Sequence, residues 1–513
     1  MKRFIIHTSF AVLLLFSLGS CKKFLAESSQ DEVRPTTTTD LTQLMNGTAY
    51  PNQTVVDTYI DLLTDDIQCN GVPLTSTGAP NATYTPYLNN GALVFTWNPL
   101  MFDRHADGSA LLSGQDSWQI YYNKINGCNL VIDYTDKVSG TVTDKNALLG
   151  QALFLRAFYY LKLVTLYGRP YSGAGIDPNT SPGVPLVLSD VVSDVRPARN
   201  SLAEVYSQVE SDLLKAAPLL RNNFAPTTVF RAGHVAAYAL LSRLYLYKGR
   251  DEDMDNVKRY ADSVFTYNSS LNQLQNYFSA SSVFGTAGIY DISSGPEVIW
   301  GFGVNPNTGT TYFPQANTFS ALTPPFTVSN DLSSLYDKGT GSSYQGDLRY
   351  VSYFSKYTNG GTYPLRGFKI GTAQVYGSSG IRVAEVYLNR AEALIRRYKK
   401  SAQAQDLSQA LSDLNTLRQS RYDRRNAAYV PVAISDADSL FRFCQQERRR
   451  ELCLEENHRW VDIKRWGLPV THTYIDATGT STVYTIPSGS PKYALPIPYT
   501  ALDNNASLAQ NPQ

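Results

Sequence analysis

The chain is 513 residues long, with 45 Lys and Arg against 44 Asp and Glu and a formal net charge of +1. That balance, with no broad basic patch, excludes nucleic-acid binding through a phosphate-neutralising cationic face. Charged residues at 17% and aromatics at 12% make the chain too apolar for disorder, and its length suits about two to four domain-sized units.

Lys2 and Arg3 precede an apolar stretch, Phe4 to Leu18, broken only by His7, Thr8, Ser9 and Ser17. It is short for a membrane span and fits a secretory leader. Leu18-Gly19-Ser20-Cys21 follows, and small residues before a cysteine at this depth look like a bacterial lipobox. Residues 1–20 are therefore expected to be a lipoprotein signal peptide, with Cys21 acylated; ordinary cleavage beside an incidental cysteine is the alternative. No later segment approaches 18 consecutive apolar residues, so anchoring rather than spanning is expected. Pro35 and the run Thr36 to Thr39 complete a tether over 21–39, and residues 40–513 are read as one body.

Helical periodicity then recurs. Asp40 to Tyr50 carries Leu41, Leu44 and Met45 on one face, with Asp40 as its expected cap. Ser117 to Tyr134 and the aromatic-rich Asn146 to Tyr167 follow, the latter stopped by Gly168-Arg169-Pro170. Leu202 to Ala217 starts from Ser201, with Glu204 completing a capping box. Ala232 to Tyr247 ends at Gly249, and Asp253 to Tyr267, Arg382 to Tyr398 and Gln405 to Arg421 complete eight helices. In order they form four pairs, within about 40–134, 146–217, 232–267 and 382–421, and the last two have the spacing of tetratricopeptide-type (TPR-like) repeats. Ser242, Tyr245 and Gly249 precede Val257 and Ala261; Ala391 and Leu394 precede Ala410, Leu414 and Leu417. Such pairs bury their apolar faces by stacking on neighbours, which predicts one helical scaffold.

Between the helices, residues 51–115 and 268–380 are rich in Gly, Ser, Thr, Asn, Pro and Tyr. Insertions this long are usually functional or hold short strands. Val298 to Val304 reads as a strand, Arg349 to Tyr357 suggests another, and Thr471 to Ile486 suits a hairpin. Cys444 and Cys453 lie on one predicted helix, nine residues and roughly 13 Å of rise apart, too far to bridge. They are read as buried thiols, and a Cys69–Cys128 bond is allowed but not favoured.

Five stretches, in order, carry a resemblance. They are the lipobox at Cys21; QALFLRAFYYLKLVTLYGRPY, Gln151 to Tyr171; RVAEVYLNRAEAL, Arg382 to Leu394, with ALSDLNTLRQSR to Arg421; ERRRELCLEENHRWVDIKRWG, Glu447 to Gly467; and YALPIPYTALDNNASLAQNP, Tyr493 to Pro512. Together they resemble the SusD/RagB family of surface nutrient-binding lipoproteins. The resemblance implies a mainly α-helical SusD-like fold, with four TPR-like pairs and loop-built ligand-facing insertions. It also implies capture of a glycan at the outer surface and transfer to a TonB-dependent outer-membrane β-barrel transporter. The scaffold does not fix the ligand, so a peptide or another nutrient is an alternative, and a surface glycan hydrolase is a third reading.

The hydrolase reading rests on Glu447, Glu451 and Glu455, spaced for one helix face, since glycosidases use paired carboxylates. Arg448, Arg449, Arg450, Arg459, Lys464 and Arg465 crowd the same stretch, and nearby cations lower carboxyl pKa values, against the need of a general acid. A structural ion network is the better reading. No H-E-x-x-H, serine elbow, P-loop or dinucleotide fingerprint occurs, and no cofactor or metal is expected.

Sugars present an apolar C–H face and a hydroxyl rim, which asks for flat rings edged by polar groups. Tyr84, Tyr87 and Trp97 in the first insertion and Tyr290 and Tyr312 in the second are the candidate rings. Asp65, Asp66, Asn70, Asn89 and Asn98 are the candidate polar partners; Asp65 and Asp66 could also chelate a metal, and a loop turn or helix cap is the better reading for that pair. Trp300, in EVIWGF, is assigned to a buried strand, and Trp118, Trp460 and Trp466 to packing.

Overall fold

The computed structural model describes residues 34–52, 57–103, 117–191, 196–276, 288–290, 296–303, 323–340, 344–356, 365–367, 369 and 379–513. The leader, Cys21 and Tyr312 lie outside the described residues.

The first helix, α1 (Thr38–Leu44), is capped by Thr37, not by Asp40. Thr37 accepts the Asp40 amide at 3.1 Å, while the Asp40 carboxylate reaches back to the amide of Thr37 at 2.9 Å. Asp40 thus serves from the third helical position of a capping box, where acidic side chains also favour the helix dipole. A π-helical turn, Met45–Ala49, follows.

Within the first insertion lies an unforeseen helix, α2 (Thr85–Phe95), opening with Pro86 in its first turn. Next come α3 (Ser117–Tyr134), α4 (Val142–Tyr167), α5 (Leu202–Asn223), α6 (His234–Lys248) and α7 (Met254–Phe265). Each packs on the one before it, from α3 through α7. The capping box of Ser201 and Glu204 opens α5. At the end of α6, Gly249 has φ +69°, the left-handed cap that glycine adopts at least cost.

The central helix, α4, is long and apolar enough to cross a membrane but lies buried inside the protein. Its C-terminal carbonyls are met by a lysine: Lys464 donates to Thr165 and, at 2.9 Å, to Gly168.

After two short helices, α8 (Asn330–Ser334) and α9 (Arg349–Tyr353), the scaffold resumes with α10 (Val383–Ser401), α11 (Ala404–Arg421) and α12 (Ala437–Leu452). Helix α10 packs on α7, α11 and α12, continuing the stack. Ala391 and Leu394 of α10 share a core cluster with Ala410, Leu414 and Leu417 of α11 and with Leu440 and Cys444 of α12. Helices α13 (His458–Trp466) and α14 (Tyr499–Asn504) complete the described set.

Among the described residues, four antiparallel two-stranded sheets decorate this scaffold: β1 (Ile67–Cys69) with β3 (Phe326–Val328), β2 (Val298–Phe302) with β6 (Ser379–Arg382), β4 (Phe354–Lys356) with β5 (Leu365–Gly367), and β7 (Val470–Ile475) with β8 (Ser481–Ile486). Such ribbons persist only by packing on a larger body. The strand expected over Arg349 to Tyr357 is confined to its end; its first turn is α9, anchored by the buried Arg349.

Cys69, Cys128, Cys444 and Cys453 are all buried free thiols. Because α12 stops at Leu452, Cys453 is its cap rather than a residue of its interior.

Candidate functional site

A cleft of about 380 Å³ opens where the two insertions meet the C-terminal hairpin. Its lining is Asp65, residues 67–69, residues 329–331 and residues 471–473 of β7, with Phe95 from the end of α2. The pairing of β1 with β3 sets Ile67 opposite Val328 and Cys69 opposite Phe326. Asn70 locks this joint: its amide group donates to Thr327 Oγ1 at 2.9 Å and to the Pro324 carbonyl at 3.2 Å. Gln68 donates to Asn70 Oδ1 and accepts the Asn330 amide at 2.9 Å. Ser329 caps α8 and donates to the Asp65 carbonyl at 2.7 Å.

The carboxylate of Asp65 takes both prongs of Arg459 at 2.7 Å, with Arg449 at 3.2 Å. Burial alone would raise its pKa, but the two guanidinium groups outweigh that and hold it at about 2. Next to it, Asp66 is fully buried, takes Arg449 Nε at 2.7 Å on one oxygen and is pushed upward by that burial.

On the opposite wall, His472 is sandwiched between the rings of Phe95 at 4.0 Å and Trp97 at 4.2 Å. Its ring nitrogens face the carbonyls of Phe95 at 2.6 Å and Thr64 at 2.9 Å. Burial depresses its pKa, and the two carbonyls pull it back up. Asn330, Asp331, Thr471 and Thr473 stand exposed at the rim. The result is a rigid floor of ion pairs and stacked rings under a rim of hydroxyl, amide and carboxylate groups. That rim can exchange hydrogen bonds with a hydroxylated ligand.

The sequence-derived candidates separate clearly. Asp65 lines the cleft, while Asp66 and Asn70 stand behind it as framework. Tyr84 is buried at the start of α2, and Tyr87 is half-buried against the core. Trp97, expected as an exposed stacking ring, is only 3% exposed and donates its indole N–H to the Leu63 carbonyl at 3.1 Å. Tyr290 is likewise buried, its hydroxyl donating to Glu455 at 2.5 Å. Asn89 is exposed on α2, and Asn98 spends its carbonyl oxygen on the Leu100 amide at 2.9 Å. Trp300 is fully buried against Phe154 and Phe158, as its strand context implies. Gln68, Asn330, Asp331, Thr471, His472 and Thr473 were not among the candidates. The alternation of β7, buried at Val470 and His472 and exposed at Thr471 and Thr473, points only toward the last three of these.

The glutamates are committed elsewhere. Glu447 pairs with Arg349 at 2.7 Å and Arg418 at 2.5 Å; Glu451 pairs with Arg349, Arg382 and Arg421 at 2.9–3.1 Å. Glu455 lies beyond α12, in a turn where Leu454, Glu456 and Asn457 take positive φ. It therefore does not share the helix face, yet the turn brings it back onto Arg382 and Lys369, each at 2.6 Å. All three are buried, which opposes ionisation, but the surrounding cations win and hold them far below the usual carboxylate range. A glycosidase acid needs the reverse shift.

Known families match most of this chain, from residue 40 onward. Residues 40–246 match a SusD-like family described as starch-binding and associating with the outer membrane, and residues 252–513 match the SusD family. This chain belongs to the SusD family. The SusD-like protein P2 of Formosa agariphila is 25% identical over 439 residues, spanning 77% of this chain and 79% of its own. The SusD fold is also that of a putative sugar binding protein from Bacteroides vulgatus, with TM-score 0.68 and 23% identity over 94% of this chain and 99% of the other. A SusD superfamily protein from Bacteroides thetaiotaomicron aligns with TM-score 0.65 and 22% identity, over 93% and 100% of the two chains.

Proposed function

We propose that this chain is a non-catalytic glycan-binding lipoprotein of the outer membrane. In this reading it is anchored through Cys21, faces the exterior, and hands captured saccharide to a TonB-dependent β-barrel transporter. The observation that carries the reading is the match along both halves to SusD families, one of them described as starch-binding and outer-membrane-associating. The cleft supports it: Asp65 and Arg459 fix a floor, and Asn330, Asp331, Thr471 and Thr473 offer hydrogen bonds to hydroxyls. The rings in its lining, Phe95 and His472, are both buried, so binding here relies on hydrogen bonding more than on stacking. That same feature favours a peptide as the second reading, since extended backbone also satisfies a polar rim.

The test is a panel of purified polysaccharides and peptides presented to the purified protein. Retention of a glycan without release of new reducing ends is the expected result. Retention of peptides alone selects the second reading, and turnover of a bound glycan defeats the non-catalytic assignment.

A further inference from the structure

A second cavity, of about 400 Å³, lies on the helical side and shares no lining residue with the cleft. It is lined by α1, the N-terminal half of α4 and the segment that leaves α5, and it opens to the surface. Met45, Leu148 and Phe224 give it an apolar floor, and Thr38, Thr42 and Thr227 bring hydroxyls. One guanidinium, that of Arg231, enters it.

Arg231 is half-buried and has no carboxylate within ion-pair distance among the described residues. It is nevertheless held in place. Its guanidinium carbon sits 4.5 Å from the centre of the Tyr50 ring. Tyr50 is itself buried and fixed by donating to Gln151 Oε1 at 2.7 Å and accepting the Ala232 amide at 3.3 Å. A cation stacked on a fixed ring has little rotamer freedom left to lose on binding.

We propose that this cavity binds a saccharide bearing a single carboxylate, with Arg231 as the anion grip. A planar guanidinium fork matches a carboxylate with two parallel hydrogen bonds. The apolar floor suits the C–H face of a sugar ring, and the threonine hydroxyls suit its rim. The volume accommodates roughly one or two rings. Asp144, exposed at the rim and hydrogen-bonded to Thr141 at 2.7 Å, is the opposing charge. It repels a second anionic group, which selects a mono-anion over a polyanion.

The probes are a disaccharide of glucuronic acid and glucose and its neutral all-glucose counterpart, titrated calorimetrically into the purified protein. The acidic sugar binds at least tenfold more tightly than the neutral one. Arg231→Gln removes that preference, and Arg231→Lys, which keeps the charge but loses the fork, recovers part of it. Ala225→Trp, at an exposed lining position, blocks the cavity with Arg231 intact and abolishes acidic-sugar binding. Absence of acidic-sugar binding, equal binding of the neutral sugar, or unchanged acidic-sugar binding by Arg231→Gln or Ala225→Trp would overturn the proposal. Because the cavity and the cleft share no residue, loss here leaves glycan retention in the cleft intact, so the two readings fail separately.

Discussion

Three guanidinium groups and a tyrosine hydroxyl converge on Glu451, all of them buried: Arg349, Arg382, Arg421 and Tyr353. Removing one carboxylate from such a cluster strands cations that have no water to turn to. Glu451→Gln is expected to cost about 3–5 kcal/mol in urea unfolding at pH 7. The pH dependence follows from the depressed pKa. The stabilisation is fully present above the ordinary glutamate range and is lost as pH falls through the folded value. Wild-type protein should therefore lose stability steeply between about pH 4 and acid, and the variant, already weaker, should show a shallower slope there. Equal stability of the two at pH 7 would mean that the network does not hold the scaffold together. Trp97 calls for a different outcome. With its ring on His472 and its N–H on Leu63, Trp97→Ala should cost about 3–5 kcal/mol. Ligand affinity of the fraction still folded should change little; a large affinity loss at unchanged melting temperature would return Trp97 to the surface.

Helix α2 explains why Trp97 was misread. The stretch Thr85 to Phe95 includes Pro86, Asn89, Asn90 and Gly91, which is loop chemistry by local preference. Tertiary burial of Leu88, Val94 and Phe95 nonetheless holds it helical, and Trp97 is carried into the core just beyond. The long scaffold helices were legible because their apolar periodicity and caps agree, as with Ser201 and Glu204 opening α5. The cleft was less legible, because its lining comes from segments far apart in sequence, such as residues 65–69 and 471–473. Asp65 was visible as a polar loop residue; its Arg459 partner was visible only as part of a charged motif. A test of α2 lies in Gly91. In an exposed helix, Gly→Ala gains about 0.5–1 kcal/mol. Here a Cβ would stand 2.5 Å from the Phe326 ring of β3. Overpacking of that kind costs about 1–3 kcal/mol, so Gly91→Ala should destabilise the protein in urea. A gain in stability would show that β3 yields freely and that the cleft wall is softer than its hydrogen bonds imply.

At the scale of the whole molecule, the question is how a captured ligand moves onward. Among the described residues the strands form only two-stranded ribbons, none of which closes into a barrel. The helix apolar enough to span a bilayer is packed inside the body. Under the proposed function, a saccharide captured in the cleft is conducted inward by a second protein. In that reading the second protein is a TonB-dependent barrel, and lipid at Cys21 keeps the two in one membrane plane. Co-anchoring raises effective concentration, so even a modest interface suffices for a lasting complex. Two results are expected. Cys21→Ser should release the protein from the membrane fraction or leave its precursor unprocessed. Mild-detergent isolation of the lipidated protein should recover a large β-barrel in near-equal amount, and deleting that barrel should stop uptake while glycan still binds at the cell surface. If the protein is recovered alone under conditions that preserve other outer-membrane complexes, and uptake survives loss of the barrel, the chain works as a free receptor and the transfer step fails.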